Sequence, residues 1–178
     1  MKKLLLFIIS LLFILGIVSC TKMPDEGFAI YLTNEDVFSE KMPVLSQIKI
    51  ANTPIIGMND VVTYDATKHQ INLTDDASER VSNLRVPTDG TSFVVCVNKK
   101  PVYRGVFWAV YSSAFVPASC VVVSYPLSQT VKISGVEMIQ MNPNILELSY
   151  YGTDDPRNKT EIIESFERAG KLTAESQR

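Results

Sequence analysis

The segment from residue 93 to residue 111 carries the strongest structural signal in the chain, and it constrains the fold more than any other feature. Phe93-Val94-Val95-Cys96-Val97 is a β-branched run, and residues 102–108 form a second apolar run rich in valine and aromatic side chains. Asn98-Lys99-Lys100 between them supplies turn residues. Two strand-forming runs around a short polar turn predict a β-hairpin. The folded part is therefore expected to be built on an antiparallel sheet.

Further signals surround the hairpin. Alternating or continuous apolar runs predict strands at residues 28–32, 70–73, 120–125, 131–133 and 145–150. Thr74 is placed as the N-cap of a helix, and Asn59 as the cap of a short helical turn that extends through residues 61 and 62. Asp155 is placed as the cap of a last helix, with Pro156 in its first turn and Gly170 after its end.

This arrangement of elements predicts an α+β fold with a mainly antiparallel sheet and two or three helices. Strands outnumber helices, and the helices do not follow every strand, as they would in a doubly wound α/β protein. At about 100–200 residues per domain, the chain length favours a single domain. We place that domain at residues 28–172 and a polar tail at residues 173–178.

The N-terminus reads as an export signal that ends in a modified cysteine. Lys2 and Lys3 form a charged region, residues 4–18 form an apolar region, and Ile17-Val18-Ser19-Cys20 follows. This order resembles the lipobox of bacterial lipoproteins, in which the cysteine thiol receives a diacylglycerol and the new N-terminus a fatty acid such as palmitate. A transmembrane anchor is the alternative, but 15 apolar residues fall short of the ~20 that cross a bilayer.

The resemblance to a lipobox implies residues 1–19 as signal peptide, Cys20 as the lipidation site and residues 20–27 as a tether. It implies an extracytoplasmic location on the cell membrane or the outer membrane, held there by buried acyl chains. Thr21 after the cysteine shows no aspartate-type retention signal, which permits an outer-membrane address in a cell with two membranes. The first predicted partner is therefore the membrane itself.

Charge and composition argue against nucleic acid as a partner. Removing residues 1–19 from the 178-residue chain leaves 159 residues, and removing Lys2 and Lys3 leaves 15 of the 17 basic side chains against 19 acidic ones. No basic run remains to neutralise phosphates, and arginine and lysine do not alternate with stacking aromatics. Another envelope protein fits this mildly acidic domain better.

Cys96 and Cys120 remain as a pair once Cys20 is acylated. Thiols outside the cytoplasm can oxidise, so a disulfide between them is one prediction. Both cysteines also lie in apolar, strand-like runs, so two buried thiols that pack as small hydrophobic side chains are the alternative. The sequence leaves both open, because a bridge needs Cα atoms within ~7 Å.

Several motifs along the chain resemble a family of uncharacterised bacterial lipoproteins. These motifs are Phe28-Ala29-Ile30-Tyr31-Leu32, Tyr64-Asp65-Ala66-Thr67-Lys68-His69, the hairpin with Ser112-Ser113, Asp155-Pro156-Arg157-Asn158 and Ala169-Gly170-Lys171-Leu172. The resemblance implies a shared fold but transfers no catalytic residues. Residues 73–84 and the turn at Asn98-Lys99-Lys100 also resemble the head part of the extracytoplasmic domain of the export protein SecD, which bears on fold alone.

Enzymatic chemistry finds little support in the sequence. His69, Asp65 and Ser112 are candidates for a small hydrolase or ligand-binding site, but no Gly-x-Ser-x-Gly elbow or glycine-rich loop supports the serine. One histidine and two strand cysteines do not make a zinc site, and no cofactor motif is present. We therefore predict no catalytic residues, no metal and no cofactor. The acidic stretch around Asp155 suits a helix start better than a cation site.

The leading functional hypothesis is a non-enzymatic, membrane-tethered domain that binds a partner or an envelope component. The second strand of the hairpin and the segment after it carry the aromatic and small polar side chains typical of a contact surface. The predicted contact residues are Tyr103, Trp108, Tyr111, Ser112 and Ser113, and for Trp108 a place in the core is the other prediction.

Overall fold

A computed structural model describes residues 26–34, 44–115, 119–127, 131–133, 136–138 and 142–173. The predicted signal peptide, Cys20, most of the tether and residues 174–178 lie outside the described residues. The strands are β1 (Phe28–Leu32), β2 (Ile56–Gly57), β3 (Val61–Asp65), β4 (Gln70–Leu73), β5 (Thr91–Val97), β6 (Lys100–Ala109), β7 (Val121–Tyr125), β8 (Val131–Ile133), β9 (Val136–Met138), β10 (Ile145–Glu147), β11 (Ser149–Tyr150) and β12 (Leu172–Thr173). The helices are α1 (Asp75–Ser82) and α2 (Thr160–Arg168).

Two mostly antiparallel sheets and two helices make up the described body, which confirms the predicted α+β class. The larger sheet has the order β11-β7-β6-β5-β1-β2, and its one parallel pair is β6 with β7. The smaller sheet has the order β10-β4-β3-β12, and its one parallel pair is β12 with β3. Strands β8 and β9 pair as a separate antiparallel ribbon. No helix among these residues is long and apolar enough to cross a membrane.

The predicted hairpin lies at the centre of the larger sheet. β5 and β6 pair antiparallel around a two-residue turn at Asn98 and Lys99, both of which adopt positive φ, +51° and +61°. Such angles are those of a type I′ turn, whose twist matches that of the strands it joins. β1 pairs with β5 over five residues from Phe28↔Val97 to Leu32↔Phe93. Local sequence signals are strong here, and the structure follows them.

The main core fills the space between the two sheets and helix α2. Phe166 of α2 is fully buried, and its ring lies 4.7 Å from that of Phe28 in β1 and 4.6 Å from that of Tyr64 in β3. Aromatic pairs at such distances add to the burial of apolar area, which is the main stabilising contribution to folding. Helix α2 thereby joins the two sheets.

The opposite face of the larger sheet is also covered. Residues 44–50 pass over Ala29, Tyr31, Val94 and Cys96, and a further apolar group on this face contains Val106, Trp108, Cys120 and Val122. A central strand buried on both faces shows a continuous apolar run in place of alternation. The continuous apolar runs of β5 and β7 are explained in this way.

Several local predictions can be compared with the structure directly. Thr74 caps α1 and accepts a hydrogen bond from the Ala77 N–H at 3.4 Å, as predicted. The predicted cap at Asp155 is wrong: α2 begins five residues later, at Thr160, and the Asp155 carboxylate instead binds the backbone N–H and the guanidinium of Arg157. The helical turn after Gly57 ends at Asp60, and residues 61 and 62 belong to β3.

Two boundaries also differ from the prediction. The strand expected at residues 145–150 is divided at Leu148, so that β10 belongs to the smaller sheet and β11 to the larger one. Thr173, placed at the start of the polar tail, ends β12 and donates its hydroxyl proton to the Tyr64 carbonyl at 3.0 Å. Both differences depend on pairing with strands far away in sequence, which local patterns do not encode.

Candidate functional site

The structure separates the five predicted contact residues into two groups. Tyr103 and Trp108 lie within β6 and are only 4% and 8% exposed. Neither side chain can contact a partner in this fold, so the contact prediction is wrong for Tyr103, whereas the burial of Trp108 agrees with its other predicted role as a core residue. Both faces of β6 pack against other parts of the protein, so neither is the open aromatic edge that the strand pattern predicts.

Tyr111, Ser112 and Ser113 belong to the segment that follows β6, residues 110–115, which we call the β6 loop. This segment exposes a set of apolar side chains. Tyr111 is 63% exposed and Phe115 is 97% exposed, and Val110 beside them is also exposed. Large apolar side chains that lie next to each other in water commonly mark an interaction surface. Phe115 is the residue that the predicted contact set lacked.

The first half of the β6 loop is held in place by hydrogen bonds to the segment before β5. The Tyr111 hydroxyl donates to the Val86 carbonyl at 3.2 Å, and the Ser112 hydroxyl donates to the Thr88 carbonyl at 2.6 Å. The Ser112 hydroxyl also accepts a hydrogen bond from the Ala114 N–H at 3.2 Å. Ser112 therefore positions the loop, and the exposed rings of Tyr111 and Phe115 are attached to a fixed base.

A second group of polar side chains gathers around the predicted candidate His69. It lies where the turn between β3 and β4 meets the segment that precedes α2. We call it the His69 cluster, and its members are Tyr64, His69, Asp155, Arg157 and Asn158. The Tyr64 hydroxyl lies 3.0 Å from Asn158 Oδ1, to which it donates a hydrogen bond. The cluster thus fastens the C-terminal segment to the smaller sheet.

Asp155 and Arg157 form the charged centre of the His69 cluster. Arg157 Nε lies 2.8 Å from Asp155 Oδ1, and Nη2 lies 2.5 Å from Oδ2. The remaining guanidinium nitrogen, Nη1, donates to the Leu148 carbonyl. Bidentate pairing of this kind is among the stronger interactions available to a carboxylate. The Arg157 hydrogen bonds hold the pKa of Asp155 at about 2.

His69 is mostly buried beside this ion pair and favours the neutral state. Burial lowers the pKa of His69, and the Arg157 charge lowers it further, although Asp155 and Asp65 act in the opposite direction. His69 Nε2 lies 3.8 Å from Asp155 Oδ2, which is too long for a hydrogen bond. Because Arg157 already neutralises that carboxylate, we regard His69 as a neutral neighbour of the pair and not as a member of a salt bridge.

The three residues of the hydrolase hypothesis are not assembled into a triad. Asp65 accepts hydrogen bonds from the N–H groups of Thr67 and Lys68, both at 2.9 Å, and so stabilises its own turn. Ser112 lies beyond the end of β6 and binds the Thr88 carbonyl. Burial raises the pKa of Tyr103, and the nearby charges of Arg157 and Asp155 also act on it, so Tyr103 lies near the His69 cluster. Tyr103 precedes the end of β6 by six residues, or ~20 Å of extended chain, so Ser112 lies far from that cluster.

Cys96 and Cys120 are both buried, and no disulfide joins them in this structure. Cys96 pairs with Pro101 of β6, and Cys120 directly precedes the Val121 that pairs with Gly105. One whole strand therefore separates them, at ~5 Å for each strand spacing, and they are also offset along that strand. This separation exceeds the ~7 Å that a bridge tolerates.

No protein-family model, curated protein or solved structure matches this chain. The resemblance to uncharacterised bacterial lipoproteins and the local resemblance to SecD therefore stay predictions.

The two sites differ in what they can do. Within the described parts of the chain, no group of three or more metal-ligating side chains is found. In the His69 cluster, Tyr64, Arg157 and Asn158 bind backbone carbonyls and one another, whereas His69 Nδ1 is buried without a hydrogen-bond partner in the described structure. Sequence reasoning missed it because Tyr64 and Asn158 are 94 positions apart. The β6 loop presents its apolar side chains outward.

Proposed function

We propose that the protein is a lipid-anchored lipoprotein of the bacterial envelope whose folded domain binds a protein partner through the β6 loop. The observation that carries the proposal is the exposure of Phe115 and Tyr111, 97% and 63%, on a loop whose base is fixed. The anchor rests on the N-terminal pattern that ends in Cys20. The proposed role is non-enzymatic.

The chemistry of the loop suits a protein contact. Tyrosine is among the residues that carry most of the energy in protein interfaces, and phenylalanine is enriched there. A fixed base lowers the entropy that is lost on binding, because fewer side chains have to be ordered. Ser113 adds an exposed hydroxyl between the two rings. Exposed aromatic rings beside a polar side chain match the apolar core and polar rim of a protein interface.

The alternative, a small hydrolase or ligand-binding protein that uses His69, Asp65 and Ser112, has weaker support. Ser112 lacks a nearby base, and its hydroxyl is engaged with the Thr88 carbonyl. His69 has no serine or cysteine among its hydrogen-bonded neighbours in the described structure. For these reasons the interaction role is the better proposal.

The proposal is tested by chemical cross-linking of the lipidated protein in cells, followed by mass spectrometry, in three variants. Phe115→Ala removes the exposed ring of the loop's last residue. It should weaken the binding of a partner by about 2 kcal/mol, or roughly thirtyfold in affinity. Val62→Ala, an exposed apolar residue on the smaller sheet, is the matched control. Cys20→Ala removes the predicted lipidation site and tests anchoring.

A partner captured by the parent chain and by Val62→Ala, but lost with Phe115→Ala, would support the proposal. Because Phe115 is almost fully exposed, its replacement should leave the melting temperature unchanged, and this excludes unfolding as the cause. A partner captured equally by all variants would refute the β6 loop as the contact site.

A further inference from the structure

We infer that the turn between β5 and β6, together with Glu26 and Gly27, rests on the anionic phospholipid surface, and that the β6 loop points away from that membrane. We call this group, residues 26–27 and 98–100, the tether end. The inference rests on the proposed lipid anchor and deepens it, because it says which surface of the domain faces the lipid.

The tether end joins the start of the folded domain to the hairpin turn. The Gly27 N–H donates to Asn98 Oδ1 at 2.9 Å, and the Asn98 N–H donates to the Gly27 carbonyl at 2.9 Å. Lys99 Nζ lies 3.3 Å from Glu26 Oε1. These contacts fix the point where the chain from Cys20 enters the domain. A force or a restraint applied through the lipid therefore acts at the hairpin turn.

The length of the tether keeps this end close to the membrane. Gly27 follows Cys20 by seven residues. Even a fully extended chain covers only ~3.3–3.6 Å per residue, so that Gly27 lies within ~25 Å of the acylated cysteine. The tether end is thereby held near the lipid, together with Met58 and Ser165, which lie beside Gly27.

The β6 loop lies at the opposite end of the same sheet. β6 runs from Lys100 at the tether end to Ala109, and the loop follows directly. Ten residues of strand span ~30 Å, which is comparable to the diameter of a small domain. The exposed rings of the loop are therefore as far from the anchor as this strand allows. A partner on that loop lies above the membrane surface and not in its plane.

Charge and backbone conformation support contact between the tether end and anionic lipid. Lys99 is 62% exposed and Lys100 is exposed, and the described residues offer Lys100 no ion pair. Glu26 offsets one of these two positive charges, which leaves a net positive turn. Lys99 also adopts φ +61°, a conformation that glycine adopts at much lower cost. A lysine kept in such a position is consistent with a role for its side chain.

The test uses the lipidated full chain in vesicles that contain phosphatidylglycerol, with a photo-cross-linking residue at position 26, 115 or 62, so that Lys99 and Lys100 both remain. Lipid adducts are read by intact-mass spectrometry. Position 26 should form adducts, and positions 115 and 62 should form few. Lys100→Glu combined with the cross-linker at position 26 should reduce the adducts about fivefold or more, since each basic residue contributes to that extent near an anionic surface.

Lys68→Glu makes the same charge change on an exposed lysine in the turn between β3 and β4 and is the matched control. Adducts at position 115 equal to those at position 26, or an equal effect of the two lysine variants, would overturn the inference. The same spectra report the acyl mass on Cys20. A chain without that mass overturns the proposed anchor, whereas an acylated chain without adducts at position 26 overturns only the orientation.

Discussion

Gly105 lies in the middle of the larger sheet, and replacing it with alanine tests how tightly that sheet is packed. A Cβ atom at this position would lie 2.5 Å from Phe93 Cε2 and 2.6 Å from the Val121 carbonyl oxygen. Phe93 is directly opposite Gly105 in β5, and Val121 is its partner in β7. The ring of Phe93 thus occupies the space that any other residue at position 105 would need.

The cost of Gly105→Ala follows from what has to move. Phe93 is fully buried and packs against Phe107 with ring centroids 5.0 Å apart, so its ring cannot turn into solvent. Overpacking of a core costs about 1–3 kcal/mol, and loss of an aromatic pair adds about 0.5–1.5 kcal/mol. Alanine restricts the unfolded chain more than glycine does, and this offsets about 0.4–1 kcal/mol of the destabilisation. We expect a net loss of about 3 kcal/mol in the free energy of unfolding.

Urea denaturation of the mature chain with Cys20→Ala measures this loss. At a slope of about 1–3 kcal/mol per molar urea, the midpoint should fall by about 1–3 M. Gly57→Ala is the matched control, because its Cβ would lie 3.7 Å from its nearest neighbours, Asp60 and Pro54. The control should stay within about 1 kcal/mol of the parent. A loss below about 1 kcal/mol for Gly105→Ala would refute the packing argument.

Two further predictions concern His69 and the buried thiols. The free energy of unfolding should fall as the pH drops below about 6.5, and His69→Asn should flatten this part of the urea-midpoint profile because it removes the titrating group. Asparagine is chosen because it tolerates the φ of +53° found at this position. Burial raises the pKa of Cys96 and of Cys120 to about 11. In a Cys20→Ala chain, both thiols should therefore resist a thiol reagent while the protein is folded and react in denaturant without prior reduction.

The sign of the pH effect follows from which state binds the proton. The pKa of His69 is lowered in the folded protein, so unfolded chains take up a proton at about pH 6.5 while folded chains do not. Stability is thus fully present above that pH and is lost as the pH falls through the folded-state pKa. Parallel profiles for the parent and His69→Asn would contradict this account. Failure to detect two thiols in denaturant would contradict the conclusion that no disulfide joins Cys96 and Cys120.

The elements that sequence reasoning predicted correctly are those specified by neighbouring residues. The turn at Asn98 and Lys99 and the cap at Thr74 need only a few adjacent side chains, and both appear as expected. The wrong cap at Asp155 shows the limit of this approach. Its carboxylate is a good cap in isolation, but the nearby Arg157 competes for it and binds it through two nitrogens.

The burial of Trp108 and the composition of the His69 cluster depend on residues far apart in sequence. Trp108 was expected to be part of the contact surface, yet the second face of the sheet is covered, and it packs with Val106 and Val122. A strand pattern identifies which side chains share a face but not what covers that face. The β6 loop is short and has no such cover. Three of its residues could therefore be identified from the sequence.

With the anchor proposed above at Cys20, the pairing of β1 with β5 would also have a mechanical consequence. A pull on the proposed anchor would enter at Phe28 along the axis of β1, while a partner on the β6 loop would resist from the opposite end of the sheet. The five paired positions from Phe28↔Val97 to Leu32↔Phe93 are then loaded together in shear and not opened one after another. The central strands would carry tension between the membrane and a bound partner without requiring the domain to unfold.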